Sequence, residues 1–383
     1  MQLTEFEDIR PYNDSEAPQK IQLLLADPKF NEVLEFLFKD AHKINSFRNS
    51  LTKVNTIDQI QRSVATPLVE QIIQSTTNGL TCSGLKNLDK HKSHLFISNH
   101  RDIILDSVFL NYMIIKNGMN TTQIAIGDNL LIYDWICHTV KLNRAFVVKR
   151  NISSRELLEA SKKLSAYIRR SLTENNISVW IAQREGRTKN GNDQTQIALL
   201  KMLNMSNNKS LAEGFKELAI IPLSISYEIE PCGISKVSEL IQRDTDGFQK
   251  TSVDDLKSMA LGMFNPKGRV HYSFGKPILA SFLEANNHLP TNKFIQELGI
   301  RIDHHLHQNF RLWPNNYIAY EMLNGTGGFT DKYTSQEVIE FKKLLSDAEE
   351  NISQNPEEVA YRFLKMYATP VENSLIATDV FRL

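Results

Sequence analysis

Apolar residues recur at helical spacing in the first 75 residues of the chain. One group lies at 21–25 and a second at 33–37, and Asp27-Pro28 separates the two. Spacings of three and four residues place such side chains on one face of a helix, whereas a strand would alternate apolar and polar positions. No strand pattern is visible here. The pattern predicts a helical N-terminal region over 1–75.

From residue 95 the pattern changes to short apolar strands that alternate with amphipathic helices. The predicted strands are LFIS (95–98), TQIAIG (122–127), RAFVVKR (144–150), ISVWIAQ (177–183) and LAIIPLSISYE (218–228). A further strand, GRVHYSFGKPI (268–278), is predicted to close the sheet, and the chain beyond 285 is helical. This alternation is typical of an α/β fold. We therefore expect a mixed sheet flanked by helices over 76–285, with helical regions at 1–75 and 286–383.

The helix over 154–172 has the clearest signals. Ser153 and Glu156 have the spacing of a capping box, in which each side chain bonds the other residue's backbone amide. One face of this helix is basic. The side chains predicted to pack on one face are Leu157, Leu164, Ile168 and Leu172.

Composition narrows the class of protein. The 383 residues are 41% hydrophobic and 23% charged, as in an ordinary folded protein. Cys82, Cys137 and Cys232 are widely spaced, which argues against disulfides and against a zinc site, so no metal is expected and a reducing, cytoplasmic compartment is favoured. We expect no signal peptide, because residues 1–10 are polar and acidic, and the sequence contains no run of about 18 apolar residues. We do not expect a membrane-spanning protein. We do expect attachment to a membrane surface, because residues 108–115 are nearly all apolar.

Charge is distributed unevenly although the chain is neutral overall. The net charge is −3 over 1–75, +7 over 76–285 and −4 over 286–383. A basic central region attracts anionic partners. The alternative interpretation is that this basic surface is solvated and binds no ligand.

Chemistry is concentrated in SNHRDIILD, where a strand runs into His100, Arg101 and Asp102, and a helix follows with Asp106. His-Arg-Asp also occurs in the catalytic loop of protein kinases, which needs an Asn five residues after the Asp. Here that residue is Ser107, and the only glycine cluster lies far downstream at 325–328. A kinase is therefore excluded.

Four blocks resemble, in order, those of the glycerolipid acyltransferase family, which includes the glycerol-3-phosphate and 1-acylglycerol-3-phosphate acyltransferases. SNHRDIILD is similar to the family's HX4D block, RAFVVKR to its basic block with a Phe, Arg184-Glu185-Gly186-Arg187-Thr188 to its Glu-Gly-Arg block, and Ile220-Ile221-Pro222-Leu223 to its apolar strand with a Pro. The second block departs from the family, which commonly has a glycine before the aromatic, where this chain has Asn143-Arg144-Ala145.

The resemblance implies that His100 is a general base that removes the acceptor's hydroxyl proton, with an aspartate on its far nitrogen. In the family this aspartate lies five residues after the histidine. Here Asp102 and Asp106 lie two and six residues after it, so the motif is an HX5D variant. We expect Asp106 to be the partner of His100 and Asp102 to cap the helix, with Asp102 as partner left open.

Basic residues of the same blocks are expected to hold a phosphate, because arginine matches phosphate oxygens with two parallel hydrogen bonds. Glu185 would orient an arginine or the acceptor hydroxyl, and Pro222 would only pack at a strand end. The predicted substrate-binding residues are Arg101, Lys149, Arg150, Arg184, Glu185, Gly186 and Arg187.

The expected protein is thus an O-acyltransferase of lipid synthesis on the cytoplasmic face of a membrane. Its donor would be a fatty acyl thioester on coenzyme A or on an acyl carrier protein, used as co-substrate, with no cofactor and no nucleic-acid partner. The acceptor would be glycerol 3-phosphate, a lysophospholipid or a lyso-aminolipid. Two alternatives stayed open: a non-catalytic lipid- or membrane-binding protein on the same fold, and an acyl thioesterase that uses water.

Overall fold

A computed structural model describes residues 3–150, 152–244, 251–325 and 327–379. The N-terminal region is helical, as its apolar spacing predicted. Between α4 and α5, residues Ile60–Ala65 form a π-helical turn. The helices are α1 (Ala17–Ala26), α2 (Pro28–Phe38), α3 (Ala41–Thr52), α4 (Ile57–Gln59) and α5 (Thr66–Thr76).

Seven strands form one sheet in the described part of the chain. They are β1 (Leu80–Ser83), β2 (Leu95–Ser98), β3 (Gln123–Gly127), β4 (Ala145–Val148), β5 (Val179–Ala182), β6 (Ile220–Tyr227) and β7 (Val270–Phe274). Their order across the sheet is β1-β7-β6-β2-β5-β3-β4, and only the β6–β7 pair is antiparallel. The sheet is therefore mixed, which confirms the predicted fold class.

Two details of the sheet differ from the sequence prediction. The strand at 270–274 does not close the sheet, because β1 pairs in parallel with its outer edge. Leu80–Ser83 escaped notice because three of its four side chains are exposed, so it lacks the apolar pattern of a buried strand. Pro222 lies within β6 opposite Ile97 of β2, and not at a strand end.

Helices cover both faces of the sheet. Those of the core region are α6 (Leu105–Lys116), α7 (Asp134–Leu142), α8 (Ser154–Thr173), α9 (Ile197–Asn204), α10 (Leu211–Lys216), α11 (Gly233–Arg243) and α12 (Ser252–Phe264). The C-terminal region is helical as expected and contains α13 (Ala280–Asn286), α14 (Thr291–Asn309), α15 (Pro314–Asn324), α16 (Ser335–Asn351) and α17 (Pro356–Asp379). The boundaries at 75 and 285 stay a prediction.

Alternate side chains of each strand feed the two halves of the core. Leu95 and Ile97 of β2 point to the face covered by α8, α9 and α14, whereas Phe96 points to the face covered by α6. Helix α8 has the predicted capping box at Ser153 and Glu156, and Leu164, Ile168 and Leu172 are buried, but Leu157 is exposed. The apolar run at 108–115 belongs to α6 and packs inside the protein, so it is not a surface for a membrane.

A buried ion network ties the end of β2 to the loop after β5 and to the start of α11. The Arg101 guanidinium donates to Asp193 Oδ2 (2.5 Å) and to Glu230 Oε1 (3.2 Å), and Lys236 pairs with the other oxygen of Glu230. Thr188 donates its hydroxyl to Asp193 Oδ1 (2.6 Å) and its amide to the carbonyl of His100 (2.8 Å). The network holds the His100 segment and the Arg184–Thr188 segment at a fixed separation.

Replacing Arg101 should destabilise the fold, because Asp193 would keep a buried charge without its cation. We expect Arg101→Met to lower the free energy of unfolding by about 3–5 kcal/mol, the usual effect of breaking a buried ion pair from one side. Equilibrium unfolding in urea measures this change. The control is Arg362→Met, which removes a surface ion pair to Glu358 and Asp244 and should lower it by about 1 kcal/mol or less. Equal losses in the two variants would contradict the role given to the network.

Candidate functional site

The ends of four parallel strands converge on one cavity. Strands β2, β5, β3 and β4 are mutually parallel neighbours, so the segments that follow them leave the sheet at the same edge. His100 follows β2, Lys149 and Arg150 follow β4, and 184–187 follow β5. Ligand sites of open α/β sheets lie at this edge. The fold therefore brings together residues that are up to 87 positions apart in the sequence.

His100 is held by Asp106. The imidazole Nδ1 lies 2.8 Å from Asp106 Oδ2, and the side chains are 13% and 0% exposed. A carboxylate in this position fixes the tautomer with the proton on Nδ1, which leaves Nε2 as the nitrogen able to accept a proton. The Trp180 ring packs edge-on against the imidazole at 5.8 Å between centroids. His100 and Trp180 both line the cavity.

Asp106 also holds the turn that precedes its own helix. Its Oδ2 accepts from the amides of Arg101 (2.6 Å) and Asp102 (3.0 Å), in addition to His100. Its Oδ1 accepts from the Tyr227 hydroxyl at 3.2 Å. The turn closes around the carboxylate, so Asp106 reaches His100 although six positions separate them in the sequence.

Asp102 lies two residues before Ile104, the N-cap of α6, and bonds the amides that lead into the helix. Its Oδ1 accepts from the amides of Ile104 (2.9 Å) and Leu105 (2.7 Å), which are among the first free amides of α6. Its Oδ2 packs against α12, where a Cβ added to Gly262 would lie 1.9 Å from it. Burial and the nearby Asp106 charge raise the pKa of Asp102, against the opposing effect of the helix amides and of Arg187. Asp102 does not line the cavity.

Arg187 and Arg184 bring positive charge to the cavity. Arg187 is 6% exposed, lines the cavity, and its NH1 has no hydrogen-bond partner among the described residues. The Nε of Arg184 is likewise buried and without a partner in the described chain. A buried guanidinium nitrogen without an acceptor is unfavourable, so an anionic ligand would stabilise it.

The remaining predicted residues form the rim. Arg150 NH1 lies 3.1 Å from Glu185 Oε1, so Glu185 does orient an arginine in this structure, and Lys149 is exposed beside them. Gly186 has φ of +70°, and an added Cβ would meet nothing within 4 Å, so the glycine serves the turn conformation. In the second block, Arg144 takes a positive φ of 63° just before β4.

The cavity has a volume of about 1900 Å³. This is roughly twice the ~1,000 Å³ upper end of ordinary small-molecule pockets. Its polar end holds His100 and Arg187, and the rest is lined mainly by apolar side chains of α2, α5, α7, α8 and α12. No group of three or more potential metal ligands occurs in the described residues. A long apolar ligand with one anionic end suits this shape.

The structure thus gathers His100 and six of the seven predicted binding residues around one cavity, and Asp106 is buried behind His100. The exception is Arg101, whose side chain is buried in the ion network and does not line the cavity, because the chain turns inward around Asp106. Sequence reasoning missed Trp180 and Tyr227. No sequence signal pointed to Tyr227, because only the pairing of β2 with β6 places the end of β6 beside the residues that follow β2.

Parts of the chain are similar to known proteins. A family model described as Acyltransferase matches residues 79–235. A glycerol-3-phosphate acyltransferase of Pseudomonas fluorescens (strain SBW25) is 24% identical over 257 residues, which are 63% of this chain but 29% of that protein. The crystal structure of the 1-acyl-sn-glycerophosphate (LPA) acyltransferase PlsC from Thermotoga maritima has a TM-score of 0.37 and 11% identity, over 74% of this chain and 92% of that one.

None of the described helices is both long enough and apolar enough to cross a bilayer.

The matched segment 79–235 contains all four sequence blocks, from SNHRDIILD to the Pro222 strand. Its His-Asp pair, its Glu-Gly-Arg turn and its basic strand end meet at one cavity. Over residues 79–235, the chain is therefore similar to the acyltransferase family.

Proposed function

We propose that this protein is an O-acyltransferase of phospholipid synthesis. It moves a fatty acyl group from a thioester, carried by coenzyme A or by an acyl carrier protein, to a hydroxyl of glycerol 3-phosphate or of a lysophospholipid such as 1-acylglycerol 3-phosphate. The observation that carries this proposal is the His100–Asp106 pair opening on a cavity of about 1900 Å³ that is mostly apolar. The match to the acyltransferase family model and the similarity to a glycerol-3-phosphate acyltransferase support it.

The reaction needs a base, because an alcohol is a weak nucleophile at neutral pH. His100 Nε2 accepts the hydroxyl proton while the alcohol oxygen attacks the thioester carbonyl, and Asp106 stabilises the imidazolium that forms. The tetrahedral intermediate then breaks its C–S bond. The thiolate takes the proton from His100, which leaves an ester, a free thiol and the neutral base. No covalent enzyme intermediate is required.

The acceptor phosphate is assigned to Arg187. Its buried guanidinium has one nitrogen without a partner, and its position beside His100 on the cavity wall places a bound phosphate near the base. Arg184 can contribute in the same way from the same loop. The cavity volume favours a substrate pair that includes a long acyl chain.

We also propose peripheral attachment to the cytoplasmic face of a membrane. Phe36 of α2 and Phe264 of α12 both line the cavity, are 62% and 46% exposed, and touch each other with ring centroids 5.7 Å apart. Exposed aromatic and aliphatic side chains at a cavity mouth suit transfer of a lipid from a bilayer. Leu37 and Leu261 extend the same patch.

The proposed activity predicts acceptor-dependent release of free thiol. The purified chain is incubated with an acyl-coenzyme A or an acyl carrier protein thioester, with and without glycerol 3-phosphate or lysophosphatidic acid. Thiol release that requires an acceptor supports acyl transfer. Thiol release without an acceptor identifies a thioesterase. If no donor and acceptor pair releases thiol, the non-catalytic alternative is supported.

Asp106→Asn should lower kcat about 10⁴-fold because tautomer control is lost. Asp102→Asn still caps α6 and should keep most activity.

His100→Ala should be inactive in the same assay, and full activity would end the catalytic role of His100. If Asp102→Asn were the inactive variant and Asp106→Asn the active one, the partner role would pass to Asp102. Circular dichroism of each variant confirms that the fold is kept.

Arg187→Lys should raise the KM for the acceptor at least tenfold and change the KM for the thioester far less. Lysine keeps the charge but loses the paired hydrogen bonds to a phosphate. Initial-rate kinetics with each substrate varied in turn measure both constants. Arg155→Lys is the matched control, because Arg155 is exposed and does not line the cavity. Equal effects on the two substrates would remove Arg187 from the acceptor site.

Membrane attachment is tested by sedimentation with anionic phospholipid vesicles. We expect partial binding that weakens as salt rises, since screening reduces attraction between the basic central region and the lipid charge. Phe36→Asp together with Phe264→Asp should abolish most binding. The control is Ile339→Asp on α16, a residue of similar exposure that lies outside the cavity. Binding that is unchanged in the double variant, or insensitive to both salt and lipid charge, would refute this attachment.

A further inference from the structure

Tyr227 contacts the aspartate of the His-Asp pair from the side opposite to His100. It is the last residue of β6 and is buried, and its hydroxyl lies 3.2 Å from Asp106 Oδ1. Burial and the neighbouring Tyr272 and Asp106 raise the pKa of Tyr227 well above its usual range, so the phenol stays protonated and can donate. None of the four sequence blocks contains this residue.

The hydrogen bonds of Asp106 are unevenly divided between its two oxygens. Oδ2 accepts from His100, from Arg101 N and from Asp102 N. In the described chain, Tyr227 is the one side chain or amide that donates to Oδ1. Because the carboxylate is fully buried, an oxygen without a donor would be strongly disfavoured in its charged state.

From this geometry we propose that Tyr227 is a positioning residue for catalysis, which holds Asp106 ionised and oriented so that Asp106 in turn orients His100. The proposal rests on the acyl-transfer function proposed above. Tyr227 does not line the cavity, so it acts only through Asp106. Its effect should therefore fall on kcat and on the pH dependence, and not on substrate binding.

A second buried tyrosine provides a comparison. The Tyr272 hydroxyl donates to backbone carbonyls, those of Asp106 (3.0 Å) and Leu105 (3.3 Å), and not to the carboxylate. Tyr272 is as buried as Tyr227 and lies on the adjacent strand, β7. The Tyr272 hydroxyl also interacts with the Tyr227 hydroxyl. Tyr272→Phe thus removes a hydroxyl from the same buried cluster while the Tyr227 hydroxyl, which donates to Oδ1, stays in place.

The charged and titratable groups that face Asp106 come from three segments. They are His100, Arg101 and Asp102 of the turn after β2, Tyr227 of β6, and Tyr272 of β7, with Asp106 itself on α6. Without the Tyr227 hydroxyl, the carboxylate draws a proton onto the imidazole more strongly, or takes one up itself. Protonation of His100 and protonation of Asp106 would each inactivate the pair. The acid limb of the rate profile must therefore move to higher pH.

We expect Tyr227→Phe to lower kcat about tenfold to a hundredfold, to leave both KM values within about threefold, and to move the acid limb of the kcat/KM profile up by about one pH unit. Tyr272→Phe should leave the acid limb in place. Tyr167→Phe, which loses a buried hydroxyl bonded to Gln123 far from the site, should leave kcat unchanged. In the Asp106→Asn background, the added change Tyr227→Phe should have almost no effect on kcat, because the residue through which it acts is gone.

An unshifted acid limb in Tyr227→Phe, or equal shifts in the two tyrosine variants, would overturn the proposal, as would additive losses with Asp106→Asn. Thermal unfolding of each variant separates these effects from misfolding. A second measurement does not need activity: the NMR titration of His100, assigned by its loss in His100→Gln, should show a changed imidazole pKa in Tyr227→Phe and none in Tyr272→Phe. If the parent protein transfers no acyl group, the proposed function fails, while this titration still decides the role of Tyr227.

Discussion

A single buried carboxylate organises the site. Asp106 accepts from the imidazole of His100, from the amides of Arg101 and Asp102, and from the hydroxyl of Tyr227. A charged group can be buried only when such donors surround it, so the carboxylate and the turn depend on each other. The turn closes around Asp106, and the amides of the turn in their turn hold the carboxylate in place. The position of His100 follows from both.

The sheet supplies the frame for this arrangement. Parallel strands β2, β5, β3 and β4 end at one edge, so short segments after each strand meet without long loops. The Arg101 network then fixes the distance between two of those segments, because Thr188 bonds both His100 and Asp193. Arg101 therefore supports the site from within the fold, and the proposed anion-binding role falls to Arg187, which lines the cavity.

The helices outside the core region complete the cavity. Helices α2 and α5 of the N-terminal region and α12 of the core form much of its apolar wall, and the aromatic contact between Phe36 and Phe264 lies at their exposed ends. Gly262 lets α12 pack directly on Asp102, a residue of the turn after β2. The same helix thus contacts the turn on one side and lines the cavity on the other. In this way, the proposed lipid path and the proposed base share one structural support.

The sequence by itself determined the fold class, the positions of six strands, the capped helix α8 and the residues around the cavity, because hydrophobic periodicity and short motifs are local properties of the chain. It also favoured Asp106 as the partner of His100 and Asp102 as the cap. The tertiary structure decided what depends on contacts between distant residues. Only packing shows that Arg101 turns inward to Asp193 and Glu230, that the apolar run at 108–115 is buried, that β1 forms the sheet edge, and that Tyr227 reaches Asp106 from a strand 121 positions away.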